Sequence, residues 1–160
     1  GIARAIVSNP EFVILDEPTS SLDISVQAQI LNLLLDMQAE LKISFLFISH
    51  NIDVVRYMSD RIAVMYLGRI IEIGKATSVT GRPLHPYTKL LIDSIPLFSK
   101  RGEFQGRVPA RAEMEERLVG VSECAFNRRC PYAQERCRRE EPQLREVEGQ
   151  LVACHFAPFT

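Results

Sequence analysis

The sequence predicts an α/β fold built on a parallel sheet, and three observations carry that prediction. Phe12-Val13-Ile14-Leu15 and Ser44-Phe45-Leu46-Phe47-Ile48-Ser49 are short runs, apolar almost throughout, which is the pattern of strands buried on both faces. Between them Val26, Ile30, Leu33, Met37 and Leu41 recur at spacings of four, three, four and four, the period of an amphipathic helix. A helix of about five turns is the right length for a right-handed crossover that sets two parallel strands side by side.

The chain opens on Ile2-Ala3-Arg4-Ala5-Ile6, a short helical pattern ended by Asn9-Pro10. The first strand then runs out of apolar residues at Asp16 and Glu17. Ligands of open parallel sheets bind beyond the carboxyl ends of the strands, so two carboxylates at that end are placed to act on something bound in the crevice. Pro18 stops the ladder, Thr19-Ser20-Ser21 supplies turn chemistry, and Asp23 can cap the helix that follows. Leu31, Leu34 and Leu35 widen the apolar face of that helix. The second strand ends at His50, and the crossover delivers Glu17 and His50 to the same edge of the sheet.

Asn51 to Met58 fits a short helix, and Arg61 to Tyr66 with Arg69 to Ile73 forms a hairpin about Leu67-Gly68, ended by Gly74. The run from Gly68 to Lys75, GRIIEIGK, imitates a phosphate-cradling loop and is rejected as one. Five residues separate its glycines instead of four, and Ala76 stands where Ser or Thr meets magnesium. Pro86 suits the first turn of a helix continuing through Leu90, Leu91 and Ile95 to Pro96, with His85 an ordinary helix-start residue. Phe98 to Ala110, with Gly102, Gly106 and Pro109 among charges, reads as a linker.

A chain of 160 residues holds one ordinary domain or a piece of a larger one. The 46% hydrophobic content and net charge of −1 describe a soluble globular protein without the positive excess that points to nucleic acid. No apolar run approaches the roughly 18–20 residues that cross a bilayer, and no signal-peptide pattern opens the chain, so a cytosolic protein is expected.

All four cysteines, Cys124, Cys130, Cys137 and Cys154, fall in the last quarter, which suggests a local site. Disulfides do not suit a reducing compartment. Intervals of five, six and sixteen residues differ from the paired C-x-x-C of zinc ribbons, so zinc is the weaker fit, with His155 as a substitute ligand. Four thiolates can hold a [4Fe–4S] cluster, and Arg128, Arg129, Arg136, Arg138 and Arg139, against Glu135 alone, would favour thiolates. Free buried thiols are the third reading.

Beyond these properties, DEPTSSLD, Asp16 to Asp23, resembles the Walker B motif and D-loop of ABC-transporter ATPases, with Ser21 where Ala is common. FISHN resembles their switch-histidine segment, with Asn51 where Asp is usual. YMSDRIAVMYLGRIIEIG and LHPYT, Leu84 to Thr88, are similar to the oligopeptide and dipeptide importer group. The resemblance implies the C-terminal half of a P-loop NTPase parallel-sheet domain over residues 1–82. A small irregular cysteine-containing extension of the oligopeptide-transporter type follows over 83–160.

The roles it implies are specific. Asp16 would hold Mg2+ beside ATP, usually through water, and Glu17 would polarise the attacking water. His50 would touch the γ-phosphate, while Asp23 would face a second ABC ATPase subunit, identical or paralogous. Membrane permease subunits, and indirectly a substrate-binding protein, are the other implied partners, at the cytoplasmic face of the membrane. Members of that group often have a four-cysteine tail, and some are held to carry an iron–sulfur cluster there. In the family the LSGGQ signature lies just before a segment like Gly1 to Ala5, and the Walker A loop lies further upstream. Neither is among these 160 residues, which alone are expected neither to bind ATP tightly nor to hydrolyse it. A non-transport ABC ATPase would share the DEP and His features, but the near-neutral charge and the LHPYT-plus-cysteine tail argue against it. A metal-bearing interaction module without activity is the remaining alternative.

Overall fold

The computed structural model describes residues 2–95 and 122–158. The chain divides into two compact units, residues 1–60 and 61–160. The linker expected over Phe98 to Ala110 lies outside the described residues.

In the first unit, α1 (Ile2–Ile6), β1 (Phe12–Asp16), α2 (Ile24–Leu41), β2 (Ser44–Ile48) and α3 (Ile52–Met58) follow one another. The two strands pair in parallel from Phe12 opposite Ser44 to Asp16 opposite Ile48. α2 is the crossover, started by Asp23, whose carboxylate accepts from the Val26 amide at 3.0 Å, and stopped at Lys42 in the left-handed conformation. Val13, Leu15, Leu34 and Ile43 form the core, with Ile30, Phe45, Phe47 and Met58 packed on it. Each buried aliphatic side chain stabilises by about 1.5–3 kcal/mol.

The expectation that both strands are buried on both faces is corrected here. Exposure along β1 alternates, and Phe12 at 54% and Ile14 at 60% stay open while Val13 and Leu15 are buried. Leu46 and Ile48 of β2 are exposed as well. Side chains of a strand alternate between faces, and the core cluster of this unit gathers on one face alone.

In the second unit, β3 (Arg61–Tyr66) and β4 (Arg69–Lys75) form the predicted hairpin, with a register shift between Val64 and Met65. Leu67 and Gly68 both take positive φ, 46° and 75°, as a two-residue turn matching the strand twist requires. β4 runs on through Gly74 to Lys75, and a helix that the sequence reading did not foresee, α4 (Ala76–Gly81), follows directly. α5 (Pro86–Asp93) has Pro86 in its first turn and stops two residues short of the expected Ile95.

Later in the chain come α6 (Glu135–Arg139), β5 (Arg145–Val147) and β6 (Gln150–Val152). The last two strands turn about Glu148 and Gly149, both at positive φ, and add to the first hairpin in the order β3-β4-β6-β5. No helix among the described residues is long and apolar enough to cross a membrane.

Candidate functional site

At the carboxyl end of the β1–β2 pair, Asp16 is the last strand residue and Glu17 the first beyond it. The Glu17 amide still donates to the Ile48 carbonyl at 2.9 Å, but its φ is 45°. A non-glycine residue in the left-handed region carries a cost of about 1–2 kcal/mol. The bend turns the carboxylate towards β2. One oxygen of Glu17 accepts from the His50 amide at 3.1 Å and stands 2.7 Å from His50 Nδ1. The structure thus brings together two residues that the sequence reading had assigned to one edge. Both are open to solvent, the His50 side chain at 79% and that of Glu17 at 36%.

Asp16 is exposed beside them, an oxygen donor of the type a hydrated divalent cation takes. Asp23 is exposed and caps α2, also accepting from Ser25 Oγ at 3.3 Å. Asn51, which departs from the usual Asp, caps α3. Its side-chain oxygen accepts from the Asp53 and Val54 amides at 3.1 and 3.3 Å, bonds that an aspartate oxygen can equally make.

In the second unit the four cysteines are free thiols, with Cys124 and Cys137 buried and Cys130 and Cys154 half-buried. The Cys124 amide donates to the Cys137 carbonyl at 2.9 Å, and both cysteines share a buried cluster with Phe126, against which Tyr66, Tyr87 and Cys130 pack. The thiols sense one another electrostatically. They match a four-thiolate ligand set in number and chemistry, yet no group of three or more His, Cys, Asp or Glu among the described residues is arranged to hold a metal ion.

The arginine field inferred from the sequence does not dominate. Burial pushes the Cys124 and Cys154 thiols up, and Cys130 up to about 11. Arg139 pairs with Glu135 at 2.8 Å, Arg136 with Glu140, and Arg128 lies 3.9 Å from Glu123, so three of the five arginines face acids within or beside the cysteine segment.

Sequence reasoning missed Glu72. It is fully buried, and its two oxygens accept from the backbone amides of Leu84 at 2.7 Å and His85 at 3.0 Å. Burial raises its pKa, against the lowering effect of these bonds. His85, 2% exposed, is the helix-start residue that the sequence reading expected, its Nδ1 accepting from the Tyr87 amide at 3.0 Å. Burial pushes its pKa down to about 4. The lone acid in the apolar run RIIEIG was the available signal.

Residues 71–137 match the family model of the oligopeptide/dipeptide transporter C-terminal region. The chain is 44% identical over 156 residues to the di/tripeptide transport ATP-binding protein DppF of Pseudomonas aeruginosa, covering 98% of this chain and 48% of that protein. It is 43% identical over 158 residues to the oligopeptide transport ATP-binding protein AppF of Bacillus subtilis, with coverage of 98% and 48%. The chain therefore spans about half the length of the relatives it matches. Over nearly all of its residues the chain is similar to ATP-binding proteins of di/tripeptide and oligopeptide transport, and within it residues 71–137 match the C-terminal region of oligopeptide/dipeptide transporters.

Proposed function

We propose that this chain forms the Walker B, D-loop and switch-histidine part of an ATP-hydrolysing subunit that energises peptide uptake. The single observation that carries the reading is the 2.7 Å approach of Glu17 to His50 at the carboxyl end of two parallel strands. ATP and Mg2+ supply the scissile phosphoanhydride and its charge neutralisation when bound. Asp16 offers the carboxylate for the cation. Glu17 orients and polarises water, and its partner His50 holds the carboxylate and reads the terminal phosphate through the imidazole. Asp23, at the start of α2, faces the second ATPase subunit. Permease subunits, and through them a binding protein, complete the assembly, with this subunit peripheral on the cytoplasmic face. Peptide cargo follows from the di/tripeptide and oligopeptide names of the relatives.

The test is ATP hydrolysis and nucleotide binding by the full-length protein with Glu17→Gln. Loss of turnover with binding retained supports the reading, and unchanged turnover overturns it.

A second proposal concerns the thiols. The number and chemistry of Cys124, Cys130, Cys137 and Cys154 support a [4Fe–4S] ligand set in the assembled protein. Iron and acid-labile sulfide in anaerobically purified full-length protein, lost together in Cys137→Ser, is the expected result. Stoichiometric zinc, or no metal at all, overturns it.

A further inference from the structure

The turn joining β1 to α2 is held in a conformation that its own residues disfavour. Glu17 lies at φ 45°, and a strained non-glycine residue persists only where surrounding bonds over-determine it. Behind Glu17 its carbonyl accepts from the Ser20 amide at 3.3 Å and from Ser20 Oγ at 3.1 Å. The next link is less local. Thr19 is 4% exposed, and its hydroxyl accepts from Gln27 Nε2 on α2 at 3.1 Å. The Gln27 amide also closes the first turn of α2 on the Asp23 carbonyl at 2.8 Å. One residue of the helix therefore grips both the helix start and the turn that carries the carboxylate.

We infer that Thr19 and Gln27 are positioning residues for Glu17, fixing the turn so that its carboxylate meets His50. This deepens the reading of Glu17 given above and rests on it. Displacement of a catalytic group by about 1 Å can lower a rate by about 100-fold, so a partial loosening of one hydrogen bond is enough to register in turnover. The bond also ties the Asp23 segment to Glu17, which makes a shift of the α2 start felt at the carboxylate.

The experiment is steady-state ATP hydrolysis by the full-length protein carrying Thr19→Val, Thr19→Ser, Gln27→Ala, Thr19→Val with Gln27→Ala, and Glu17→Gln. Thr19→Val keeps the shape and loses the hydroxyl. It is expected to lower kcat roughly tenfold with KM for ATP within about twofold of wild type. Thr19→Ser, which keeps the hydroxyl, recovers most of the turnover. Gln27→Ala behaves like Thr19→Val, and the double variant is no slower than either, because both remove one interaction. A kcat unchanged in Thr19→Val and Gln27→Ala overturns the proposal, as does a loss that Thr19→Ser fails to recover or one that follows the fall in thermal midpoint. If Glu17→Gln is inactive while Thr19→Val turns over normally, the positioning proposal alone fails. If Glu17→Gln hydrolyses ATP at the wild-type rate, the reading of Glu17 fails and takes this proposal with it.

Discussion

Glu17 Oε1 and His50 Nδ1 lie 2.7 Å apart although they stand 33 positions apart in the chain. The approach depends on two features. Parallel pairing brings Asp16 opposite Ile48, so that the residues next in line leave the sheet together, and the left-handed bend at Glu17 turns its carboxylate across to β2. The same oxygen also accepts from the His50 amide, which fixes its position before any substrate arrives.

Replacing Glu17 by Gln keeps an acceptor for the His50 amide but removes the basic carboxylate. In the full-length protein ATP turnover is expected to fall by at least about 100-fold, with nucleotide affinity within a few-fold of wild type. Phosphate release and equilibrium nucleotide binding measure the two quantities. His50→Ala is expected to be defective in turnover too, since the imidazole is the other half of the pair.

Glu72 gives a stability prediction. Its two oxygens serve two consecutive amides in a fully buried position, and Glu72→Ala leaves both donors unsatisfied. At about 1–3 kcal/mol for each, a loss of about 2–6 kcal/mol is expected in urea denaturation. Glu72→Gln retains one acceptor oxygen and is expected to lose less than half as much.

A pH dependence follows from His85. Its folded pKa of about 4 lies below the usual 6.5, so between these values the unfolded chain binds a proton that the folded chain does not. Stability from this group is therefore intact above pH 6.5 and lost as the pH falls towards 4, by up to about 3 kcal/mol. Glu72, with its pKa raised, works in the opposite direction above the ordinary carboxylate range. Comparing wild type with His85→Asn, which keeps a cap acceptor, isolates the histidine. The variant is expected to show a shallower loss between pH 6.5 and 4 in denaturation midpoints.

Gly74 is constrained by space. A Cβ there would meet Gln150 Oε1 at 2.9 Å and both Gln150 Cγ and Val79 Cγ2 at 3.0 Å. The amide oxygen can swing away, but the Cγ atoms belong to a packed strand and helix. Gly74→Ala is expected to cost about 1–3 kcal/mol, read as a lowered urea midpoint. Gly81→Ala, with nothing within 4 Å of its Cβ, serves as the comparison.

Much of the first unit was legible because its signals are local. The apolar runs, the helical spacing of Val26 to Leu41 and the capping chemistry of Asp23 each depend on neighbours within a few residues, and the strands, crossover and cap stand where those signals put them. Two-sided burial was not legible, since an apolar run states what a strand could bury and not what covers it. In the second unit the deciding contacts are distant. Glu72 is satisfied by amides 12 and 13 residues on, and β4 pairs with β6 through Glu72 opposite Val152. Three-residue strands leave too short a pattern to read. Charge counts along the cysteine segment likewise omitted Glu123 and Glu140, which flank it and engage Arg128 and Arg136.

The sequence by itself determined the α/β class, the parallel crossover, the strand-end carboxylates and imidazole, and the family resemblance, because hydrophobic period and short motifs are properties of adjacent residues. Only the tertiary structure decided that Glu17 adopts a left-handed bend against His50, that Glu72 is swallowed as an amide clamp, and that burial pushes the Cys124, Cys130 and Cys154 thiols up. Those outcomes turn on desolvation and on hydrogen bonds between groups far apart in the chain, quantities that exist only once the chain has closed on itself.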